Sequence, residues 1–216
     1  MVQNTDNRIL IHACCGICSG YPIGLLKEMG YSPVVYFYNP NIDTHEEFNR
    51  RLEAQKIVCM YHWVDLVAED YNHEEYLNYV KGYETEPERG ARCDKCIELR
   101  LIKTAKKAKE LGINKFTTSL VISPHKNYDK ISAIGKQAAE SILNKTESKK
   151  ELQSEEPSIG LSPLDLPPSN LPPSNLPLEY LPLDFKKKDG FLKTNKLSKE
   201  LGLYRQNYCG CEFVKK

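Results

Sequence analysis

Apolar and polar positions along the first 139 residues switch between two periods. Ile9-Leu-Ile11 is a short apolar run after a polar start, which predicts a buried strand. Ser19 to Met29 predicts a helix, with Ser19 as N-cap, Pro22 in its first turn and Gly30 closing it. Pro33 to Tyr38 is β-branched and aromatic, a strand closed by Asn39-Pro40. Asp43 to Cys59 predicts a second helix, capped by Asp43 or Thr44, with Glu46 and Glu47 in its first turn. A short third strand is expected at His62–Asp65, and helices at Glu69–Val80 and Asp94–Leu111. In the last of these Ile97, Leu101, Ala105, Ala108 and Leu111 form one apolar stripe. Lys115 to Ile122 predicts another strand, and a helix is expected from Tyr128 to about Ala139. Strands alternating with helices predict an α/β layer fold with a mostly parallel sheet. Ligands of such sheets bind outside the carboxyl ends of the strands. The loop His12–Cys18 is expected at that rim.

The pattern breaks between residues 140 and 183. Eight of the 13 prolines fall there, Leu166-Pro-Pro-Ser-Asn repeats as Leu171-Pro-Pro-Ser-Asn, and no aromatic residue occurs between Tyr128 and Tyr180. Residues 144–178 are therefore expected to be a Pro-rich insertion without a core of its own, within a single α/β domain spanning residues 1–216. The net charge of +1 divides unevenly: zero over residues 1–139, −4 over 140–183 and +5 over 184–216. No global basic field draws the chain to nucleic acid. No apolar run approaches the length of a membrane span, about 18 residues. The polar start, MVQNTDNR, has no apolar core of a secretory signal, so the eight cysteines are expected in the reducing cytoplasm. There, clustered cysteines bind metal or do redox chemistry more often than they form disulfides.

Seven of the eight cysteines fall in three groups: Cys14, Cys15 and Cys18; Cys93 and Cys96; Cys209 and Cys211. Cys59 stands alone on an apolar helix face and reads as a small buried hydrophobe. Two groups open predicted helices, where the positive end of the dipole favours the metal-binding thiolate. Gly210 lets the backbone bend so that Cys209 and Cys211 can face one site. Seven exceed the four ligands of one zinc or one iron–sulfur cluster. A second metal, redox thiols beside a cluster, or one zinc staple with three bystanders would each account for the surplus. Cys15-Gly-Ile-Cys18 alone also fits a thioredoxin-like dithiol, which the other cysteines fit poorly. Residues Arg89–Lys109 carry a net +6, either a phosphate-tracking surface or a solvated helix face. Tyr128, Tyr204 and Tyr208 are candidates to stack bases, or core residues.

Seven blocks together carry a family likeness. They are His12–Ser19, Phe37–Ile42, Glu86–Cys96, Arg100–Ala105, Thr117–Asn127, Asp184–Phe191 and Tyr204–Cys211. In these, over about residues 8–139 and 184–213, the chain resembles the QueH-type epoxyqueuosine reductases. It departs from them in the long Pro-rich insertion and in Gly16-Ile17, where the family often has Ala-Pro. The resemblance implies a HUP-like (adenine nucleotide α-hydrolase-like) sandwich. It implies reduction of the epoxide of epoxyqueuosine to the alkene at the wobble position of tRNA, without cobalamin. One oxygen leaves as water, and two electrons and two protons are consumed. The implied cofactors are a [4Fe–4S] cluster and a further mononuclear iron close by. The implied partners are the tRNA anticodon loop and an external electron donor, with no membrane.

On that resemblance, Cys14, Cys15, Cys18, Cys93, Cys96, Cys209 and Cys211 are the candidate ligands of both metals, with no partition between them. His12, Tyr38, His125 and Tyr208 are candidate proton donors, and Asp94 an extra acid or ligand. Arg92, Lys126, Arg205 and Gln206 are candidates to hold phosphate or the modified base. Two other functions compete. A HUP-type ATP-dependent tRNA sulfur transferase would need a Ser-Gly-Gly-x-Asp-Ser loop where Cys-Cys-Gly-Ile-Cys-Ser stands, with no acidic residue. A non-catalytic zinc-bound RNA-binding module would carry zinc and show no redox signal.

Overall fold

The computed structural model describes residues 7–150 and 176–214. Most of the predicted Pro-rich insertion lies outside the described residues. Five parallel strands form one sheet: β1 (Arg8–His12), β2 (Ser32–Phe37), β3 (Leu66–Ala68), β4 (Lys115–Thr118) and β5 (Glu179–Tyr180), in the order β3-β2-β1-β4-β5. Leu10 of β1 pairs with Val34 on one side and Phe116 on the other. Among the described residues six α-helices flank the sheet: α1 (Gly16–Glu28), α2 (His45–His62), α3 (His73–Tyr79), α4 (Ala91–Glu110), α5 (Tyr128–Lys150) and α6 (Gly190–Glu200). α1 packs against α2 and α6, whereas α4 packs against α5 and crosses β1. This is the α/β sandwich expected of a HUP-like fold. β1 is the central strand, and its Ile9, Leu10 and Ile11 are fully buried. The stripe on α4 supplies Leu101, Ala105 and Ala108 to the same core.

Several boundaries differ from the sequence pattern. The third strand begins at Leu66, not His62, because α2 runs on to His62. Trp63 then closes that helix in the left-handed region (φ 54°), and the Val64 N–H bonds back to the Cys59 carbonyl. β4 ends at Thr118, because the apolar run Ser119–Ile122 forms a buried 3-10 turn instead. Thr118 caps that turn, its Oγ1 accepting from the Leu120 N–H at 3.2 Å. α5 continues past Ala139 to Lys150, since Ile142 extends its buried stripe. α6 has no counterpart in the pattern. Its buried face is Gly190, Thr194 and Ser198, small residues in place of a stripe of large apolar ones, with Leu197 packing on Gly20 of α1 beside them. β5, two residues long, is below what alternation can reveal.

Two glycines set close approaches. A Cβ at Gly16 would lie 2.3 Å from the Ala54 carbonyl oxygen, so α1 meets α2 there only without a side chain. A Cβ at Gly135 would lie 2.5–2.6 Å from three carbons of the Tyr180 ring. That ring also packs edge-on against Phe116, which seats β5 on β4 and α5. Gly135→Val should therefore overpack this junction and destabilise the protein by roughly 1–3 kcal/mol, read as a lower urea midpoint with an unchanged slope.

Candidate functional site

The strand order reverses between β1 and β4, and a cavity of 370 Å³ opens at that end of the sheet. Its walls come from the loops after β1, β2 and β4, the first turns of α1, α4 and α6, and the chain's last described segment. Cys14, Cys18, Cys93, Cys96, Cys209 and Cys211 all line it. The Sγ atoms of Cys14, Cys15 and Cys18 lie within 4.8 Å of one another, and Cys15 sits just behind the wall, buried. Thus the structure brings all three sequence groups to one place. Cys59 is apart from them, buried, with Gln55 Nε2 donating to its sulfur at 3.4 Å.

The third pair arrives by a strap rather than by an element of the sandwich. Gly210 adopts φ +102°, and the turn it forms presses against Asn41, Ile42 and Arg51. Arg51 is buried on α2. Its Nη1 donates to the Cys209 carbonyl at 3.1 Å and its Nη2 to the Tyr208 carbonyl at 3.3 Å. Glu47, one turn earlier, accepts from Arg51 at 2.7 Å and from the Tyr204 hydroxyl at 2.6 Å. Asn41 Nδ2 adds a bond to the Cys209 carbonyl, and the Asp43 N–H donates to the Gly210 carbonyl. Tyr76 reaches Cys211 Sγ through its hydroxyl at 3.0 Å.

Charge among the thiols of the cavity is organised around the buried Arg100. Arg100 lies one turn past Cys96 on α4, and its Nε donates to the Cys96 carbonyl at 3.1 Å. Burial opposes its charge, while Cys96, Cys14 and Cys209 sustain it. Hydrogen bonds from the Cys15 and Cys18 thiols hold Cys14 well below the usual thiol range. The same bonds push Cys15 up to about 12 and Cys18 well above its ordinary value. A bond from the Cys211 thiol brings Cys209 down to about 6 and raises Cys211 in turn. Burial pushes Cys96 up, with the Arg100 charge acting against it.

Of the other residues singled out by sequence, His125, Lys126, Arg205, Gln206 and Tyr208 line the cavity. The Tyr208 hydroxyl donates to Asp43 at 2.7 Å, and Arg89 donates to His125 Nδ1 at 3.3 Å. Gln206 Nε2 donates to Cys15 Sγ at 2.8 Å. Four lie elsewhere. His12 is beneath the cavity, its Nε2 donating to the Tyr38 carbonyl and its Nδ1 accepting from the Thr118 hydroxyl. Burial lowers its pKa to about 3, so the ring is neutral. Tyr38 lines a separate cavity, where its hydroxyl donates to Glu75. Arg92 is buried against the Phe213 ring and donates to the Glu84 and Glu86 carbonyls, which holds the loop before α4. Asp94 pairs with Lys130 at 2.7 Å. Arg51, Arg100, Tyr76 and Asn195 were not singled out by sequence. Arg51 and Arg100 each stand four residues after a partner, Glu47 and Cys96, the spacing of one helical turn.

Seven thiols, six of them facing one cavity beside a buried guanidinium, match the donor set of an iron–sulfur cluster or zinc in type and exceed it in number. Two outcomes follow from the geometry. In metal-free protein, alkylation of Cys209 should rise with pH through about 6 and then level off, because the thiolate is the nucleophile. Cys59, pushed up to about 11 by burial, should stay unmodified at pH 8; peptide mass spectrometry reads both. Arg51→Met leaves Glu47 buried without its ion-pair partner and should destabilise the protein by roughly 3–5 kcal/mol. Adding Glu47→Gln should recover part of that loss in urea denaturation.

Comparison with known proteins places the chain among its relatives. The family model described as epoxyqueuosine reductase QueH matches residues 9–156 and 170–216. The chain is 34% identical to epoxyqueuosine reductase QueH of Streptococcus pyogenes serotype M1, covering 99% of this chain and 72% of that protein. It is 35% identical to the protein of the same name from Helicobacter pylori, over 96% of this chain but 49% of that longer protein. It is 31% identical to that of Thermotoga maritima, over 95% and 88% of the two chains. With its family model matched along most of its length and its cysteines gathered at one cavity, the chain belongs to the epoxyqueuosine reductase QueH family.

Proposed function

We propose that this chain is an oxidoreductase that converts epoxyqueuosine to queuosine at the wobble position of tRNA, without cobalamin. The observation that carries the reading is the convergence of six cysteines from three distant segments on one cavity at the sheet's switch point. Both epoxide C–O bonds break, the alkene forms, and the oxygen leaves as water; the reaction takes up two electrons and two protons. The electrons come from an external donor, and the reducing cytoplasm is the compartment that suits these thiols. Cys14, Cys15, Cys18, Cys93, Cys96, Cys209 and Cys211 are the residues that would hold the metals. When bound, a [4Fe–4S] cluster supplies single electrons and an adjacent iron supplies Lewis acidity.

The chain's own side chains prepare the cavity for this chemistry. Arg100 places a fixed positive charge among three thiol groups, where low dielectric makes it most effective. His125 and Tyr208 are the two proton-donor candidates on the cavity wall. His12, neutral and bonded through both nitrogens, fixes the loop after β1 instead. Exposed Arg89 bonds His125, and exposed Arg205 lines the cavity along with Lys126 and Phe191, which is 39% exposed. Cations for phosphate and an aromatic face for stacking suit a single-stranded anticodon loop whose wobble base is turned into the pocket.

Protein purified without oxygen should hold about four or five irons per chain and, with dithionite, convert epoxyqueuosine tRNA to queuosine tRNA. Serine at Cys14, Cys93 or Cys209 should lower bound iron and cut turnover by on the order of a hundredfold or more. Cys59→Ser should retain both. A colourless protein with one zinc and no turnover after iron–sulfide reconstitution would overturn the reading in favour of a zinc-bound RNA-binding module.

A further inference from the structure

The chain has two basic segments, Arg89–Lys109 and the stretch after residue 184, and the structure separates them. On α4 the lysines are engaged. Lys95 pairs with Glu98, Lys103 with Glu75, and Lys107 with both Glu69 and Glu110. Lys103, Lys106 and Lys107 also line the separate cavity of Tyr38, not the one that the cysteines line. The α4 run is therefore a solvated helix face held in ion pairs. The turn before α6 is different. Lys187 and Lys188 are exposed there, and among the described residues no carboxylate pairs with either.

That turn is anchored beside the cysteine cavity. Phe185 is fully buried beneath it, and Asp184 Oδ1 accepts from the Lys186 N–H at 3.1 Å. Lys186 Nζ donates to the carbonyl of Lys126, a cavity residue, at 2.8 Å. The Gly190 N–H bonds back to the Lys186 and Lys187 carbonyls, and Phe191 then lines the cavity. Among the described residues, four other than glycine have positive φ. Three of them, Arg89 (70°), Lys188 (55°) and Asp189 (61°), fall in the two turns next to this cavity, since Arg89 bonds His125 of its wall. Glycine is the residue such backbone favours, and strain of this kind gathers at ligand clamps. We propose that Lys187 and Lys188 form a clamp on the RNA phosphodiester backbone beside the nucleotide that enters the cavity. Ammonium groups on flexible stems meet phosphate oxygens without reading sequence. The clamp holds the substrate by its backbone and leaves recognition of the modified base to the cavity. This inference rests on the proposed tRNA substrate.

The measurement is the Kd of anaerobically iron-loaded full-length protein for tRNA with guanosine at the wobble position, followed from about 50 to 200 mM salt. Lys187→Ala combined with Lys188→Gly removes both charges, and glycine relieves the left-handed backbone at residue 188. The double variant should bind roughly tenfold more weakly at the low-salt end, and the slope of log Kd against log salt should fall by about 1.5. tRNA carrying epoxyqueuosine should lose the same factor, with iron content and kcat at saturating tRNA unchanged. Lys106→Ala on α4 should change neither affinity nor slope. An unchanged slope, a loss confined to epoxyqueuosine tRNA, or an equal loss in Lys106→Ala would overturn the clamp. So would intact tRNA binding with turnover slowed only when an acidic electron-carrier protein replaces dithionite, which would make the turn a docking site for that donor. Failure of wild type to convert epoxyqueuosine tRNA with dithionite would instead sink the proposed function, while the guanosine tRNA still reads the clamp.

Discussion

The site depends on one guanidinium that does no chemistry. Arg51 grips the carbonyls of Tyr208 and Cys209 and so fastens the end of the chain across the rim of the sheet. With Asn41, Asp43 and Tyr76 it holds the third cysteine group at the cavity. The grip works because Arg51 is itself held: Glu47 neutralises it from the previous turn of α2, and the Tyr208 ring lies 5.3 Å from it. Buried ion pairs seldom add much net stability, since desolvation offsets attraction. Here the pair specifies where a loop must lie. Gly210 completes the arrangement, because its positive φ and missing Cβ let the strap press into Asn41, Ile42 and Arg51.

Once the three groups meet, the problem becomes one of charge. Thiolates brought together in a poorly solvated cavity repel one another, and each must find a donor or a cation. The protein's partial answer is to pair thiols asymmetrically. Cys14 accepts from Cys15 and Cys18, and Cys209 accepts from Cys211, so each of these two groups carries one easily formed thiolate and companions that keep their protons. Arg100 sits where it acts on both of those thiolates and on Cys96. Metal binding by these thiols would release the remaining protons. The same residues therefore suit both a metal-free and a metal-bound site, and the proton count would distinguish them.

The sandwich was legible in the sequence because its central elements obey simple periods. β1 is a continuous apolar run and α4 a clean stripe, and both sit where the pattern puts them. The cysteine groups were legible too, since spacing and helix starts mark them. What stayed hidden is what tertiary contact alone creates. α6 presents Gly190, Thr194 and Ser198 to the core, so no stripe of large apolar residues marks its inward face. The run Leu120-Val-Ile122 looked like strand but turns beneath the cavity, because Thr118 caps it. His12, Tyr38 and Arg92 stand in the right sequence blocks, yet they support the loops around the cavity rather than line it. Proximity in sequence to a ligand does not decide which way a side chain faces.

The helix starts show why these loops serve the site. α2 and α3 begin in the ordinary way, with Thr44 and Asn72 side chains accepting from the first-turn N–H groups of Glu47 and Glu75. The three helices whose first turns line the cavity do not. α1 starts at Cys15, α4 at Gly90 and α6 at Asp189, and none has a side-chain cap bond. Their N-cap side chains leave the first turns open, although Glu86 accepts from the Ala91 N–H at 3.3 Å at the start of α4, and the positive ends of three dipoles border one cavity. Capping them with Ser or Asp would strengthen each helix and weaken the site, since the cap would consume the donors that an anionic occupant needs. Asp189 is an acidic residue at such a position, but its left-handed backbone (φ 61°) carries its side chain out of capping geometry. The positive ends of three helices are thus concentrated beside the thiols that favour them.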